Sequence, residues 1–413
     1  MVYQDRTLPG LRGQYFVCEP AGNLIHRALI EADGSALKIR RAPGEEQSEF
    51  AASTDAWSHP MHLTHGPDGC IWITDYYREI IEDYSAIPRH LQQQYGVYAG
   101  HDRGRIYRLT HRAAPRAPAT DISALDTKSL ARECASPLFW RRQTAQRLLV
   151  ERRENPLIPS FSPNGGQGAR RAVEGERGPN AFQEVTKTLR ELLAGKNAEP
   201  SAVIVALRTL DQLGTLTPSD LQAFVVHPDA AVRIHALQLA DPWFARADGR
   251  ALLDAALTAA ASEPDPRVQI QLALSLGETR DPRAFAMLVR FARERLDVRW
   301  MDSAVLSSLH GRGLEMLGTL LREPGGSAPF LPPLAQSIAA RRDESELAGT
   351  LDLLVSARPD TQAALLEALA KGRKNAPRKP LADKAARAAL ATLAASPVAG
   401  SARRRARWRT PSS

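Results

Sequence analysis

The chain has 413 residues, room for two or three domains, and its 43% hydrophobic content is ordinary for a globular protein. No apolar run approaches the roughly 20 residues of a membrane-spanning helix. The net charge is +8, but twelve Lys/Arg and one acid from Lys371 onward give +11, which leaves about −3 for the other 370 residues. A nucleic-acid-binding solenoid carries its basic residues along the repeats, so we expect no nucleic-acid partner.

Cysteines and the first residues give little sign of export. Cys18, Cys70 and Cys134 do not make a disulfide framework, and Cys18 and Cys70 fall in predicted strands, where small buried thiols are expected. The first ten residues have neither the basic leader nor the apolar segment of a secretory signal, so no such signal is expected in this chain.

Short strands separated by turn residues are predicted over residues 1–112. Pro20-Ala21-Gly22-Asn23 and Asp33-Gly34 are typical of tight reversals between strands. The predicted strands are 14–19, 24–30, 36–40, 48–52, a segment after Met61, 70–74 and 104–109. About seven strands suffice for roughly two four-stranded blades of a β-propeller, and two blades alone would leave open sheet edges.

The stretch 65–109 combines a turn, two strands and an unusual set of charges. Pro67-Asp68-Gly69 is turn chemistry, and the strand that follows ends in the sequence DYYRE. The candidate site residues gather around the ends of the two strands. They are Asp75, Arg78, Glu79, Asp102, Arg103 and Arg105.

Two interpretations of this cluster are open. Arginine forks bind carboxylates bidentately, so the cluster would orient an anionic cofactor or substrate. Alternatively, the acids and arginines form a structural network in which Arg78 and Arg103 fasten the excursion 80–100 to the strands. The structural interpretation is favoured, because a long excursion itself needs fixing.

The histidines and a search for known catalytic motifs give no indication of a metal site or an enzyme class. His59, His62 and His65 have a spacing that would suit a metal on a helix, but Pro60 and the following turn predict an extended segment, so no metal site is expected. The sequence contains no Walker loop, GxGxxG, HExxH or GxSxG.

From about residue 121 the hydrophobic period changes to that of helices. Four units share a Pro/Asp turn, a bulky residue beside Arg, and Ala and Leu at helical spacing; they are 136–150, 227–240, 263–277 and 296–309. Further helices are predicted at 181–194, 201–213, 334–341, 345–356, 361–369 and 381–395. Such apolar stripes are buried when repeats stack, which resembles short, imperfect HEAT repeats.

The predicted repeats are accompanied by an insertion, a basic tail and three recurring arginines. The Pro/Gly-rich segment 155–180 is expected to be a loop or disordered insertion, and 396–413 a basic disordered tail. Arg142, Arg233 and Arg299 recur in the repeated units, and we expect them to form salt bridges between repeats rather than to contact a ligand.

Several uncommon sequence motifs occur in order over residues 13–110: YFVCEPAGNLIHR, GPDG, DYYREIIE and HDRGRIYRL. They resemble the closing propeller blades of the bacterial family of membrane-bound dehydrogenases, also called PVC-type haem-binding CxxCH proteins. That family is built as a propeller, HEAT repeats and a cytochrome c domain. Its propeller is similar to that of the glucose/sorbosone dehydrogenase quinoproteins.

The resemblance implies a mixed, mainly α fold with three parts: a partial β-propeller of about two blades over 1–112, a HEAT-like α-solenoid over 121–395, and the tail. It implies a periplasmic location and, for full-length family members, pyrroloquinoline quinone (PQQ) and haem c. This chain has no CxxCH and most of the propeller is absent, so no cofactor is evident in it.

Two functions follow as hypotheses. The first is a fragment or degenerate member of a periplasmic quinoprotein-like dehydrogenase that is not catalytic alone and binds the missing propeller or cytochrome portion. The alternative is a non-catalytic HEAT-repeat scaffold that binds another protein. Whether the chain is an enzyme stays open at this point.

Overall fold

A computed structural model describes residues 1–79, 81, 87–94, 99–112, 121–154, 179–195, 197–322, 328–374 and 384–395. The predicted insertion 155–180, apart from its last two residues, and the predicted tail 396–413 lie outside the described residues. The described fold is mixed and mainly helical, with small antiparallel sheets near the N-terminus, as the sequence predicts at this level.

Seven strands form two sheets in the part of the chain that the structure describes. They are β1 (Tyr15–Glu19), β2 (Leu24–Asp33), β3 (Ala36–Arg41), β4 (Ala51–Ala52), β5 (Pro60–His65), β6 (Ile71–Asp75) and β7 (Arg105–Leu109). The first sheet has the order β1-β2-β3, with β4 also paired to β2, and the second has the order β5-β6-β7. These strands coincide with the predicted ones, except that β4 keeps only two of the five residues predicted at 48–52.

Turn residues and alternating burial explain these strands. Asn23 (φ 56°) and Gly69 (φ 76°) take the left-handed conformation that their tight reversals need. The core of the sheet region joins the N-terminal segment to the strands. It consists of Tyr3, Leu8, Phe16, Ile25, Leu63 and Ile71. Because side chains alternate along a strand, one face of β5 and β6 is buried in this core.

Sixteen helices are present among the described residues. They are α1 (Arg89–Gln94), α2 (Thr127–Glu133), α3 (Phe139–Glu154), α4 (Pro179–Leu193), α5 (Pro200–Gln212), α6 (Pro218–Leu221), α7 (Ala230–Ala240), α8 (Arg250–Ala260), α9 (Pro266–Ser275), α10 (Pro282–Glu294), α11 (Met301–Ser307), α12 (Gly313–Arg322), α13 (Leu331–Arg341), α14 (Glu344–Val355), α15 (Pro359–Gly372) and α16 (Lys384–Ala395). No helix of the described chain is both long and apolar enough to cross a bilayer.

Contacts between Cα atoms divide the chain into two compact units. One comprises Met1–Asp33 and Leu37–Asp220, and the other comprises Gly34–Ala36 and Leu221–Ser413. The first unit therefore contains most of the sheet region together with the helices α1 to α5. Within it, α2 packs against α3 and α4, and α5 packs against α3 and α4.

In the second unit, helices that are two apart along the chain pack side by side. The helix α9 packs between α7 and α11, while α10 contacts α8 and α12. The same spacing relates α13 to α15 and α14 to α16. Each helix therefore buries its apolar stripe against the helix that precedes or follows it by two, which is how a row of short amphipathic helices builds a common core.

Candidate functional site

Asp75, the last residue of β6, is buried and its carboxylate holds the backbone of the surrounding loops. Its oxygens accept hydrogen bonds from the backbone N–H of His59 (2.7 Å) and Tyr77 (3.2 Å) and from the Ser58 hydroxyl (3.1 Å). A carboxylate that accepts several such bonds restrains the conformation of the nearby backbone. Asp75 thus fixes the loop that leaves β6 against the residues that lead into β5.

Arg78 joins this loop to the end of the excursion that precedes β7. Its guanidinium donates to the carbonyls of Tyr77 (3.0 Å) and Gly100 (2.7 Å) and lies over the Tyr76 ring at 4.5 Å. Tyr77 itself is buried and has a positive φ of 41°, an uncommon conformation for a bulky residue. The surrounding contacts therefore determine the backbone here.

Arg105, at the start of β7, is held mainly by aromatic side chains. Its guanidinium lies 3.9 Å from the centre of the Tyr77 ring and donates to the Tyr107 hydroxyl (3.0 Å). An arginine in this position gains cation–π attraction from the ring face. Asp55 is 3.9 Å away, at the margin of an ion pair. Arg105 thus links β7 to the loop around Tyr77.

The remaining predicted site residues are exposed. Glu79 lies on the surface, and Asp102 and Arg103 are both largely exposed and 4.0 Å apart. The structure therefore separates the six residues into two groups. Asp75, Arg78 and Arg105 hold the loops, but Arg78 does so through carbonyls rather than through the acids that the sequence led us to expect. Glu79, Asp102 and Arg103 lie at the surface. Cofactor binding at this cluster stays a prediction.

The three histidines before β6 have separate environments. The ring of His59 contacts the carbonyls of Pro20 (2.7 Å) and Arg78 (2.9 Å), and His62 is exposed on β5. His65 is buried on the face of β5 that packs on the core. Within the described ranges no group of three or more His, Cys, Asp or Glu side chains is placed to hold a metal ion.

A second polar cluster, which the sequence did not reveal, lies between the N-terminal segment and α3. Asp5 is fully buried, and its carboxylate accepts from the backbone N–H of Phe139 (2.6 Å), the first residue of α3. Arg142, also buried, donates to the Ser136 carbonyl (2.7 Å). Asp5 therefore acts as an N-cap for a helix 134 residues later in the chain.

The electrostatics of this cluster follow from burial. Burial raises the pKa of the Asp5 carboxyl, while the Phe139 N–H bond and the Arg142 charge oppose that change. Burial also lowers the pKa of Arg142. One carboxylate oxygen of Asp5 and the Nε of Arg142 have no hydrogen-bond partner among the described residues. The charge of each residue favours the ionised form of the other, and Arg12 and Glu199 add to this compensation for Asp5 and Arg142 respectively.

His65 forms the third side of this cluster. Its Nε2 accepts a hydrogen bond from the backbone N–H of Gln4 (3.0 Å), so this nitrogen carries no proton. The ring stacks against Tyr3, with centroids 5.6 Å apart, and lies 4.3 Å from the Phe139 ring. Burial, helped by the positive charges of the N-terminus and Arg142, lowers the pKa of His65 to about 4. The fold thus holds His65 neutral.

In four helices the fourth residue donates a hydrogen bond to a carbonyl of the loop that enters the helix. In α3 and α7 it is Arg142 and Arg233, and each donates to the carbonyl six residues earlier, at Ser136 and His227 (both 2.7 Å). The fourth residue of α9, Gln269, does the same to Glu263 (2.6 Å). In α15, Gln362 donates to Ala357 (3.0 Å). A polar side chain at this position closes the loop that enters each of these helices.

The three predicted repeat arginines differ in their partners. Arg233 also pairs with Glu263 at 2.8 Å, and both side chains are largely buried, which is the expected link between successive repeats. Arg142 faces Asp5 instead, and Arg299 lies over the Trp300 ring at 4.9 Å. The salt-bridge expectation therefore holds for Arg233, whereas Arg142 bonds a carbonyl and Arg299 contacts an aromatic ring.

Comparison with known proteins gives one family. A family model described as a domain of unknown function (DUF7133) matches residues 1–113, which covers the two sheets. No curated protein and no solved structure matches the chain. The chain is therefore similar to the DUF7133 domain over its N-terminal quarter, where the strands and the cluster around Asp75 lie.

Proposed function

We propose that this chain is a protein-binding scaffold of a quinoprotein-like dehydrogenase, in which propeller-type sheets precede HEAT-like helical repeats. In this proposal the chain acts by holding a partner protein and does not turn over sugars or alcohols alone. The proposed link to a dehydrogenase comes from the sequence motifs that this chain shares with the haem-binding CxxCH family. The same resemblance makes the periplasm the proposed location.

The observation that carries the scaffold proposal is the repeated bond at the fourth helix position. Arg142, Arg233, Gln269 and Gln362 all return to a carbonyl in the preceding loop. An unrelated set of helices has no reason to reuse one side-chain contact at one position. Repetition of a local device, together with packing between helices two apart, supports a repeat array, and such arrays serve mostly as extended binding surfaces.

The sheet region supports the propeller part of the proposal. It contains two antiparallel sheets whose strands β1 and β5 contact each other within the first unit. Propeller blades are small antiparallel sheets that pack in this side-by-side manner. Two such sheets make a fraction of a ring, so in this proposal further blades come from a partner or from another part of the protein.

A turnover assay tests the proposal. The purified chain is given PQQ, calcium and an artificial electron acceptor, and sugars and alcohols are supplied in turn. We expect no turnover above the rate without protein, because two small sheets do not enclose a cofactor. Turnover that disappears when calcium is chelated would contradict the scaffold proposal and support an independent quinoprotein.

A further inference from the structure

Among the described residues, the strand β7 is exposed on both faces and forms one edge of its sheet. Ile106 is 67% exposed and Tyr107 is 44% exposed. Consecutive strand residues point to opposite faces, so exposure of both means that neither face of β7 is covered. In the part of the chain that the structure describes, β7 pairs with β6 on one side and forms the edge of its sheet on the other.

Burial falls steadily across this sheet toward β7. Leu63, Ile73 and Tyr107 lie opposite one another in the register of β5, β6 and β7. Leu63 is buried, Ile73 is half-buried and Tyr107 is exposed. Proteins usually protect a sheet edge with charge, proline or a covering segment, because unpaired N–H and C=O groups can pair with another chain. An edge that displays Ile106 and Tyr107 is therefore well suited to accept a strand.

The charges beside this edge are mainly positive. Arg103, Arg105, Arg108 and Arg112 lie within β7 or next to its ends, against the single acid Asp102 in the same stretch. Arg108 is engaged by Asp68, and Arg105 has Asp55 only at 3.9 Å. Arg103 is 66% exposed, and its contact with Asp102 is 4.0 Å long. The edge thus presents apolar side chains together with Arg103 and Arg105, whose acidic partners lie at the outer limit of an ion pair.

We propose that β7 binds an extended, acidic segment of a partner protein as an added antiparallel strand. Main-chain hydrogen bonds would supply affinity, and carboxylates opposite the arginines would supply specificity. Trp, Tyr and Arg are also the residues most enriched among energetically important interface positions. A second copy of this chain is a poorer occupant, because two basic edges would repel each other. The proposal concerns the sheet region and does not depend on the helical scaffold.

The register defines a probe for this surface. Glu is placed opposite Arg103, Arg105 and Arg108, and Val opposite Ile106 and Tyr107. An antiparallel peptide with these residues reads Val-Glu-Val-Val-Glu-Ser-Glu. Two control peptides isolate the two parts of the proposal. One replaces every Glu by Lys. The other replaces the two central Val residues by Pro, which keeps the charge but removes a ladder donor, since successive residues donate to alternate sides.

Fluorescence anisotropy of the labelled peptides with the full chain is the test. We expect the acidic peptide to bind, the Lys and Pro peptides to bind about tenfold more weakly or not at all, and added salt to weaken binding. Hydrogen exchange of the amides 105–109 should slow when the acidic peptide is bound. Arg103→Glu should lower affinity for the acidic peptide by about tenfold and raise affinity for the Lys peptide.

Several results would overturn the proposal. Equal binding of the acidic and Pro peptides would mean charge attraction without strand addition. Unchanged exchange at 105–109 with the peptide bound would place binding elsewhere. Self-association of the chain that protects 105–109 would make a second copy the occupant. Because Arg103 is exposed, its substitution is not expected to unfold the chain, and a thermal melt of Arg103→Glu confirms that loss of binding is not loss of structure.

Discussion

The first turns of α3 and α7 are held by the same two contacts, an arginine that bonds a loop carbonyl and an aspartate that caps the helix, but the aspartates come from different parts of the chain. Arg142 and Arg233 occupy the same helix position and donate to the carbonyl six residues earlier. At α7 the cap is Asp229, the residue directly before the helix, which accepts from the N–H groups of Ala231 and Val232. At α3 the cap is Asp5, which comes from the N-terminal segment of the sheet region.

The acids that compensate Arg142 and Arg233 also come from different parts of the chain. Arg233 pairs with Glu263 from the loop before α9, so the loop before one helix supplies the charge for the helix two before it. For Arg142 the compensating charge comes from the buried Asp5, so the N-terminal segment supplies what the loop before α9 supplies to α7. This comparison indicates that a segment of the sheet region caps and compensates α3, which agrees with the membership of both in one compact unit.

The largest expected effect comes from Asp5→Ala. This change removes the cap of α3 and the largest of the negative charges that compensate the buried Arg142, at a cost of about 3–5 kcal/mol. Asp229→Ala is the matched control, because it removes only a local cap, at a cost of about 1 kcal/mol. Hydrogen exchange of the amides of α3 and α7 measures both costs in the intact chain.

The comparison would fail if the two variants lost protection equally, or if Asp229→Ala had the greater effect. Asp5→Asn separates the cap from the charge, because an amide oxygen still accepts from the Phe139 N–H. We expect Asp5→Asn to fall between wild type and Asp5→Ala.

At α7, Glu263→Ala should destabilise the loop between α8 and α9 and the start of α7 by about 3 kcal/mol. The reason is that Arg233 would stay largely buried without its acid. An exposed pair, Arg246 with Asp248, offers the control, and Asp248→Ala should cost less than about 1 kcal/mol. Urea unfolding of both variants beside wild type measures the difference. Similar losses in the two variants would show that burial of the Arg233–Glu263 pair adds nothing.

The cluster around α3 should also respond to pH through His65. The fold lowers its pKa to about 4 from an unfolded value near 6.5, because burial favours the neutral ring. A lowered pKa contributes stability that is present above pH 6.5 and is lost as the pH falls toward 4. The loss should reach at most about 3 kcal/mol. Melting temperatures of wild type and His65→Gln at pH 7 and pH 5 test this.

His65→Gln should show a smaller fall in melting temperature between these two pH values than wild type. The raised pKa of Asp5 has the opposite sign, since it adds stability as the pH falls, but it is common to both proteins and cancels in the comparison. His62→Gln, an exposed change on the same strand, is the control. Parallel pH profiles for wild type and His65→Gln would remove His65 as the cause.

Much of the fold was predictable because its signals are local. The strands β1 to β7 follow from turn residues and alternation within a few residues. The helices α3, α7, α9 and α11 follow from a shared turn and a helical stripe. The helices α8, α10 and α12 were not predicted. The first and last of these lack the Pro/Asp turn that marked the others, whereas α10 begins with such a turn, Asp281-Pro282, and was overlooked all the same. Their existence depends on the same helical period, which a search by motif overlooks.

The polar contacts were less predictable, for a physical reason. Sequence shows which side chains carry charge, so we expected Arg78 to pair with acids. Every residue offers a carbonyl, however, so nothing in the sequence singles out Gly100 as the acceptor. Asp5 was missed because 134 residues separate it from the helix that it caps. Its position shortly before the first strand carries no pattern that distinguishes it from an exposed acid.

Substitution of Arg78 should have the smallest of these effects on stability. Like Arg142 and Arg233, Arg78 donates to backbone carbonyls, so the three arginines can be compared. Unlike the buried Arg142 it is partly exposed, and water competes for its donors. Arg78→Ala should therefore cost about 1–2 kcal/mol, and Asp75→Asn, which weakens bonds to His59 and Tyr77, a similar amount. Because neither side chain bonds the other, the double variant should cost the sum of the single changes. Urea unfolding of the three variants measures this, and a coupling well above about 0.5 kcal/mol would restore the acid–arginine network that the sequence first led us to expect.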